Sequence, residues 1–530
     1  MKVTDSKNPC YELLIIGAQG FCEVDASSLD DFAMLHDGKT KPLTAEQALN
    51  IFSASGLRSV YSIRSADGNI TLHCLERPQV SFPPLLLPTP FSSPFGVPTL
   101  DEWHNLWDAW DLVTLDMIPK EMLHQKPIDL RHKCLFYIGH IPTFLDMLMS
   151  GALKEPNTEP KNFILIFERG IDPHVDDPEH CHRHSEVPEK DEDWPSLSSI
   201  LVFRDRVRAR LVKLYDDFHT GKRTLNRHVA RMLAMTHEHE GWHVETLLYM
   251  LIQRAGVGTL PPPGFTIPPW RALAEQWNTT PLPSTPTVTL GPTTITIGHD
   301  DCEGDDFTAK LSEVIDGHAF GWDNESPARV VEVKQVKMEW RPVTNADFLA
   351  YFKDNKQVGL PASWVDSEEG IQVRTVYGSV PMEIAQHWPV LTSYDAMSAY
   401  AKSRGGRLPT EVELRLFFDT YEVGHSGGSN VGFRNWHPVP ATTGLEELGG
   451  RGSNGGVWEW TCTLFSGYEG LSPTKHFPGY STDFFDNKHH VVLGASYATI
   501  PRLAGRRTVR NFYQHNYPYP WVGARVVYDV

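Results

Sequence analysis

Between residues 99 and 254, apolar positions recur every three or four residues, the spacing that gathers them on one face of a helix. The pattern predicts four helices, near 100–119, 133–152, 196–221 and 225–254, and together they suggest a four-helix bundle. On either side it breaks. Residues 77–98 (RPQVSFPPLLLPTPFSSPFGVP) and 260–292 (from LPPPGFTIPPW to PLPSTPTVTLGP) are proline-rich and can neither continue a helix nor form a central strand. A short helical patch, 271–277, interrupts the second seam. Beyond residue 293 the segments shorten, glycine becomes frequent, and Trp and Tyr accumulate. Helical spacing returns there only near 345–354, 393–403 and 410–421, which predicts an irregular α+β domain with much loop. The expected division is an N-terminal segment 1–79, a linker 80–98, a helical domain 99–259, a linker 260–292 and the α+β domain 293–530.

Composition narrows the function classes. At 41% hydrophobic residues with 15 Trp, the 530-residue chain has ample material for more than one core. A net charge of −18 without a Lys/Arg cluster argues against nucleic acid or an anionic membrane as partner. No apolar run approaches the ~18 residues of a spanning helix, and Met1–Pro9 lacks the apolar stretch of a signal peptide. Seven scattered Cys without a CxxC give neither a disulfide framework nor a Cys-rich zinc site. The expectation is a reduced, cytoplasmic protein.

The fourth helix carries the chemistry. Residues 237–248 read HEHEGWHVETLL and contain His239-Glu240-x-x-His243, the zinc-peptidase pattern in which Glu240 would be the general base. His239 and His243 are one turn apart and can converge on a metal. Positions 228, 232, 235, 239, 243, 246 and 250 share a mostly apolar face, which is expected to point into the bundle. A helix with incidental histidines satisfies the same letters. His140, among apolar residues in YIGHIPTFLD (137–146), offers a third nitrogen from the second helix. Three neutral imidazoles with open positions make a catalytic rather than a closed structural site, but they suit Zn, Cu, Fe and Ni alike.

Residues 137–146, 167–188 (FERGIDPHVDDPEHCHRHSEVP) and 237–248 resemble the iron-binding domain of the sulfoxide synthases of the ergothioneine and ovothiol pathways, the fungal ones above all. The C-terminal half resembles the domain fused to it there. Its signposts are FGWDNE (320–325), RPVTN (341–345), RLPTE (407–411), VWEW (457–460), VLGASYAT (492–499) and GAR (523–525). The resemblance covers roughly 99–530. It implies a DinB-like four-helix bundle joined to a C-type-lectin-like α+β domain of the formylglycine-generating-enzyme (sulfatase-modifying factor) type. It also implies that His140, His239 and His243 hold Fe(II), leaving positions for a thiolate and O2, and that Glu240 is no peptidase base. Such enzymes join the sulfur of cysteine or γ-glutamylcysteine to the imidazole of Nα-trimethylhistidine (hercynine). By the same resemblance Tyr480, Asn511, Phe512 and Trp242 surround the trimethylhistidine, with residues 480–513 lining the cavity. Aromatic faces suit a quaternary ammonium, which donates no hydrogen bond; for these aromatics plain core packing is the alternative.

Two departures stand out. Bacterial relatives have a tyrosine, their proton donor, three residues before the position of Tyr480, and here that place is Phe477. Phenylalanine donates no proton, so Tyr480, Tyr497, Tyr513 or His476 takes the role, or thiol dioxygenation competes with coupling. Where users of γ-glutamylcysteine have Trp-Asp, this chain has Phe512-Tyr513, which makes free cysteine the expected thiol. Residues 43–78 resemble the closing helix and hairpin of the histidine methyltransferase fused ahead of the fungal enzymes, and LLIIGAQG (13–20) is no complete nucleotide site. Residues 1–79 are therefore expected to be a remnant, with a separate methyltransferase supplying the acceptor. Competing classes are a zinc hydrolase, resting on H-E-x-x-H alone, and a non-catalytic lectin-like binding protein. A formylglycine-generating activity needs a cysteine pair, and the C-terminal half has only Cys302 and Cys462.

Overall fold

The computed structural model describes residues 96–253, 285–421, 430–441 and 454–530 continuously, with parts of the remaining segments. The expectation for residues 1–79 falls mostly outside the described residues, the closing helix included. The described part is the backbone of an antiparallel sheet, ordered β2-β1-β4-β3, from β1 (Tyr11–Ile16), β2 (Gly20–Val24), β3 (Arg58–Arg64) and β4 (Thr71–Glu76). The predicted hairpin of 43–78 is the β3–β4 pair.

The four predicted helices are present. α1 (Leu100–Asp111) starts at a capping box, in which the Thr99 hydroxyl accepts from the Glu102 N–H and the Glu102 carboxylate accepts from the Thr99 N–H. It ends in a π turn, Leu112–Asp116, where the Thr114 hydroxyl donates to the Trp110 carbonyl at 2.7 Å. α2 (Cys134–Leu153) tolerates Pro142 in its interior, and the Thr143 hydroxyl donates to the Gly139 carbonyl beside it at 2.8 Å. A short α3 (Phe163–Phe167) follows, then α4 (Leu197–His219), capped by the Ser196 hydroxyl, and α5 (Arg227–Gln253). Trp103, Leu106, Trp110, Phe136, Leu211 and Leu247 fill the bundle core.

The C-terminal half is the expected irregular α+β domain, with α6 (Trp270–Asn278) leading into it. β5 (Thr287–Leu290) is its first strand; β6 (Thr293–Ile297) pairs with β7 (Arg329–Val333), and β8 (Val336–Glu339) pairs with β5. β5 lies inside the expected 260–292 linker, so the sheet starts before residue 293. Flanking prolines concealed the alternating Thr-Val-Thr-Leu of a half-buried strand. A second sheet consists of β9 (Trp364–Ser367), β10 (Gly370–Thr375) and β11 (Gly378–Pro381). The central sheet, ordered β14-β13-β12-β15, contains β12 (Trp458–Leu464), β13 (His489–Gly494), β14 (Asn511–Gln514) and β15 (Val522–Gly523), and β16 (Val527–Asp529) returns to β8. Three predicted helices appear at Asn345–Asp354, Tyr394–Ser403 and Glu411–Tyr421.

The one-sided apolar face expected of α5 is not what the fold uses. Nearly every residue from Arg227 to Gln253 is buried, because the bundle covers one side of the helix and the C-terminal domain the other. His228, expected to face the bundle, packs instead on Phe307 and His476 of the second domain. Glu238 accepts from Trp322 Nε1 at 2.8 Å and from Arg506, whose guanidinium also holds Glu325 at 2.8 and 2.9 Å. Glu245 accepts from Trp458 Nε1, Ser496 Oγ and Thr499 Oγ1, each at 2.7 Å. Removing one partner from the buried Glu238–Arg506–Glu325 ionic set typically costs ~3–5 kcal/mol. These contacts therefore fix α5 against the second domain. Gly241 permits the approach, since a Cβ there would lie 2.4 Å from Ile500 Cδ1.

Candidate functional site

α2 and α5 bring three imidazoles together. His140 Nε2 lies 3.4 Å from His239 Nε2, and the ring centroids of His140, His239 and His243 are 4.5–5.1 Å apart. The tautomer of His140 is fixed, because its Nδ1 donates to the Phe167 carbonyl at 2.7 Å and leaves the Nε2 lone pair for the cluster. Gly139 makes room for that contact, since a Cβ there would meet the Phe167 ring at 2.6 Å. Burial holds His140 down to about 4, and burial with the neighbouring imidazoles holds His239 and His243 well below the ordinary value. All three are neutral near pH 7, as metal ligation requires. Two nitrogens bonded to one ion at ~2.0–2.1 Å and near-tetrahedral angles would be about 3.4 Å apart, which is the spacing of His140 and His239, and the donor atoms of all three lie within 4.8 Å of one another. The Phe144 ring stacks on His239 at 3.8 Å and supports it from behind.

The cluster opens into a cavity of about 250 Å³ between the two domains. Trp242 from α5, Tyr480 from the loop after β12, and Asn511 and Phe512 from β14, the residues expected to surround a substrate, line it, and so do Phe477 and Tyr513. Phe477 packs edge-on against Phe144 at 5.1 Å, with its centroid 6.3 Å from that of His239. Tyr480 stacks on Trp322 at 4.0 Å, and Phe512 stacks on Phe465 at 3.9 Å. The wider expectation that 480–513 lines the cavity is corrected. Its middle, around Ser496, Thr499 and Arg506, turns away to hold Glu245 and Glu238. Tyr497 and His476 do not line the cavity either, because Tyr497 packs on Trp521 and His476 on His228.

Several wall residues had no role assigned from sequence. Tyr137 lies 6.0 Å from His243, ring to ring, and Tyr249 and Tyr517 also line the cavity. Arg131 lines the cavity and pairs with Asp172 at 2.6 Å. An acid from the helical domain, Asp172, thus faces the cavity. Residues 169–173 and Val175 form part of the cavity wall, and the strap 169–176 is tied to the second domain by Arg169–Asp483 at 2.7 Å, His174–Asp486 at 3.0 Å and Lys488–Asp176 at 3.0 Å. Gln514 adds two bonds, accepting from the Val175 N–H and donating to Asp176. The sequence signal was available in a loop dense in charge, histidine and proline, 167–188.

Glu240 points elsewhere. It is buried and does not line the cavity, one Oε1 finds no donor among the described residues, and the charges it senses are Arg208, Asp111 and Arg204 of the bundle. Burial pushes it up to about 8, so it sits there as a neutral acid near pH 7. Glu240→Gln is expected to keep metal loading and most oxygenase activity, measured by oxygen uptake and metal analysis. Loss of all activity with metal retained would restore the general-base role.

Comparison with known proteins agrees with this architecture. Residues 101–247 match the DinB superfamily, and residues 279–530 match the sulfatase-modifying factor enzyme 1-like domain. Over 92% of its length the chain is 37% identical to ergothioneine biosynthesis protein 1 of Neurospora crassa, and over 81% it is 34% identical to the protein of that name in Schizosaccharomyces pombe. It spans 63% and 56% of the lengths of those two relatives. Over 39% of its length it is 29% identical to hercynine oxygenase of Mycobacterium tuberculosis, of which it covers 56%. No described helix is long and apolar enough to cross a membrane. The chain joins a DinB-superfamily helical domain to a sulfatase-modifying factor enzyme 1-like domain and is a homologue of the fungal ergothioneine biosynthesis proteins.

Proposed function

We propose that this chain is a non-haem Fe(II) enzyme that uses O2 to join the sulfur of cysteine, or a related thiol, to the imidazole C2 of Nα-trimethylhistidine. The observation that carries it is the convergence of His140, His239 and His243 on the wall of an aromatic cavity, in a homologue of proteins named for ergothioneine biosynthesis and hercynine oxygenation. The balance is one thiol, one C2–H and one O2 giving a carbon–sulfur bond, one S=O and one water. Iron held by the three histidines supplies thiol deprotonation and oxygen activation.

The chain's residues do the rest. Trp242, Tyr480 and Phe512 present ring faces to the trimethylammonium group, each contact worth about 0.5–1 kcal/mol when exposed and ~2 kcal/mol when desolvated. The Asn511 side chain and the Tyr513 hydroxyl, 3.3 Å apart, give the imidazole polar contacts. Arg131 and Arg169 bring positive charge for the substrate carboxylates, and Asp172 is an acceptor for an ammonium. The strap 169–176 limits water once both substrates are in place.

The test is oxygen uptake and product analysis with iron-loaded protein, cysteine and trimethylhistidine under air. Uptake that requires the thiol and yields a coupled sulfoxide is expected. Protein that loads iron but consumes no oxygen with any thiol would defeat the assignment. A thiol dioxygenase activity is the second reading, favoured by Phe477 at the cavity wall.

A further inference from the structure

A second group of metal-ligating side chains lies outside the cavity. His228 from the first turn of α5, Asp306 from the 303–307 turn and His476 from the loop after β12 place ligand atoms within 4.8 Å of one another. His228 and His239 are 11 positions apart on one helix, which separates the two clusters by about 16 Å along the axis. The imidazoles of His228 and His476 face each other at 4.8 Å, and Phe307 covers His228 at 4.8 Å.

The hydrogen bonding of this group is incomplete. His228 Nδ1 and His476 Nε2 are shielded from solvent and have no partner among the described residues. Buried polar atoms left so are costly. Two of them beside a buried carboxylate mark a place for something that accepts lone pairs. Asp306 is held from behind, with Arg231 Nε and Nη2 donating to its two oxygens at 2.6 and 3.0 Å. Each carboxylate oxygen retains a second lone pair, and ligating carboxylates are commonly oriented by such outer hydrogen bonds.

We infer that His228, Asp306 and His476 form a second metal site, for a divalent transition ion such as Zn²⁺ or Co²⁺. Two imidazoles with one carboxylate suit these ions, whereas Ca²⁺ and Mg²⁺ prefer oxygen throughout. Glu303 is next to the group, accepting from the Thr474 hydroxyl and the Lys475 N–H, and supplies further negative charge. An ion here clips three segments together: the start of α5, the 303–307 turn and the loop carrying Phe477. Because His476 immediately precedes Phe477, the clip steadies one wall of the substrate cavity from outside.

Anaerobic Co²⁺ titration of the full chain, followed by visible absorption and equilibrium dialysis, tests this. Wild type is expected to take up two ions and His476→Ala or His228→Ala one. His239→Ala/His243→Ala should also take up one, and adding His476→Ala to that protein should weaken the remaining binding at least ~100-fold. If wild type binds one ion and both His228→Ala and His476→Ala leave that unchanged, the site does not exist. If wild type binds one ion that His228→Ala removes, the second site stands and the cavity assignment fails, so the two claims separate.

Discussion

Replacing His140, His239 or His243 by Ala is expected to remove stoichiometric iron and all thiol-dependent oxygen uptake, whereas His237→Ala should leave both. Loss of an outer partner of a ligand typically costs ~10–100-fold in metal affinity, and loss of a ligand itself costs more. Only two imidazoles would remain in each variant, and in His239→Ala the Phe144 ring would also lose its stacking partner. His237 is the right control because it is equally buried, on the same helix and two residues away. Its ring packs edge-on against Trp103 of α1 at 4.8 Å, on the far side from the cavity. Truncating it should cost roughly 2–4 kcal/mol of stability as a core cavity does, visible as a lower Tm without loss of iron. The measurement is iron per chain by mass spectrometry together with thermal unfolding. Full iron in His239→Ala would end the assignment of the triad.

The control works because four successive positions on α5 face four surroundings, and this explains what the sequence could disclose. His237 meets α1, Glu238 meets Arg506, His239 meets His140, and Glu240 faces the charges of α1 and α4. Periodicity located the helix and paired His239 with His243, because one turn of helix is a local property. His140 was reachable for the same reason, lying on a predicted apolar helix. The second covering of α5 was not legible. A helix buried on all sides by two domains has no polar face to reveal which neighbour takes which side. Buried Glu238 and Glu245 were clues, since charged residues survive in such a place only with partners from elsewhere in the chain. The partners, Arg506, Trp458, Ser496 and Thr499, are more than 200 positions away. The strap 169–176 was hidden differently. Its residues act through pairings with Asp483, Asp486 and Gln514, and a loop's charges do not state what they will meet. β5 was missed because prolines on both sides disguised a strand as linker.

Phe477 is where this chain should differ most in outcome. Coupling places one oxygen atom of O2 on sulfur and releases the other as water, so a proton must arrive while sulfur and C2 meet. Dioxygenation places both oxygen atoms on sulfur and yields a sulfinate, with no water to form. A positioned proton donor typically contributes ~10²–10⁴-fold to the step it serves, and its loss should favour the path that does not need it. Phe477 stands at the wall beside His239, with the Arg169 guanidinium 5.2 Å from its ring centroid and Tyr480 at 6.1 Å. The phenols that remain on the wall are poor acids. Burial raises Tyr137, Tyr480 and Tyr513 above the ordinary value, and at Tyr480 the carboxylates of Asp323, Glu325 and Glu238 raise it further. Wild type is therefore expected to release sulfoxide together with substantial cysteine sulfinate, and Phe477→Tyr to shift the ratio toward coupling. If instead a wall phenol donates, wild type couples cleanly, and Tyr480→Phe, Tyr513→Phe or Tyr137→Phe becomes the change that spills product to sulfinate. Product ratios for these five proteins, measured with cysteine and trimethylhistidine under air, decide between the two. A wild type that makes only sulfoxide and is unmoved by Phe477→Tyr shows that the ring at 477 is packing alone.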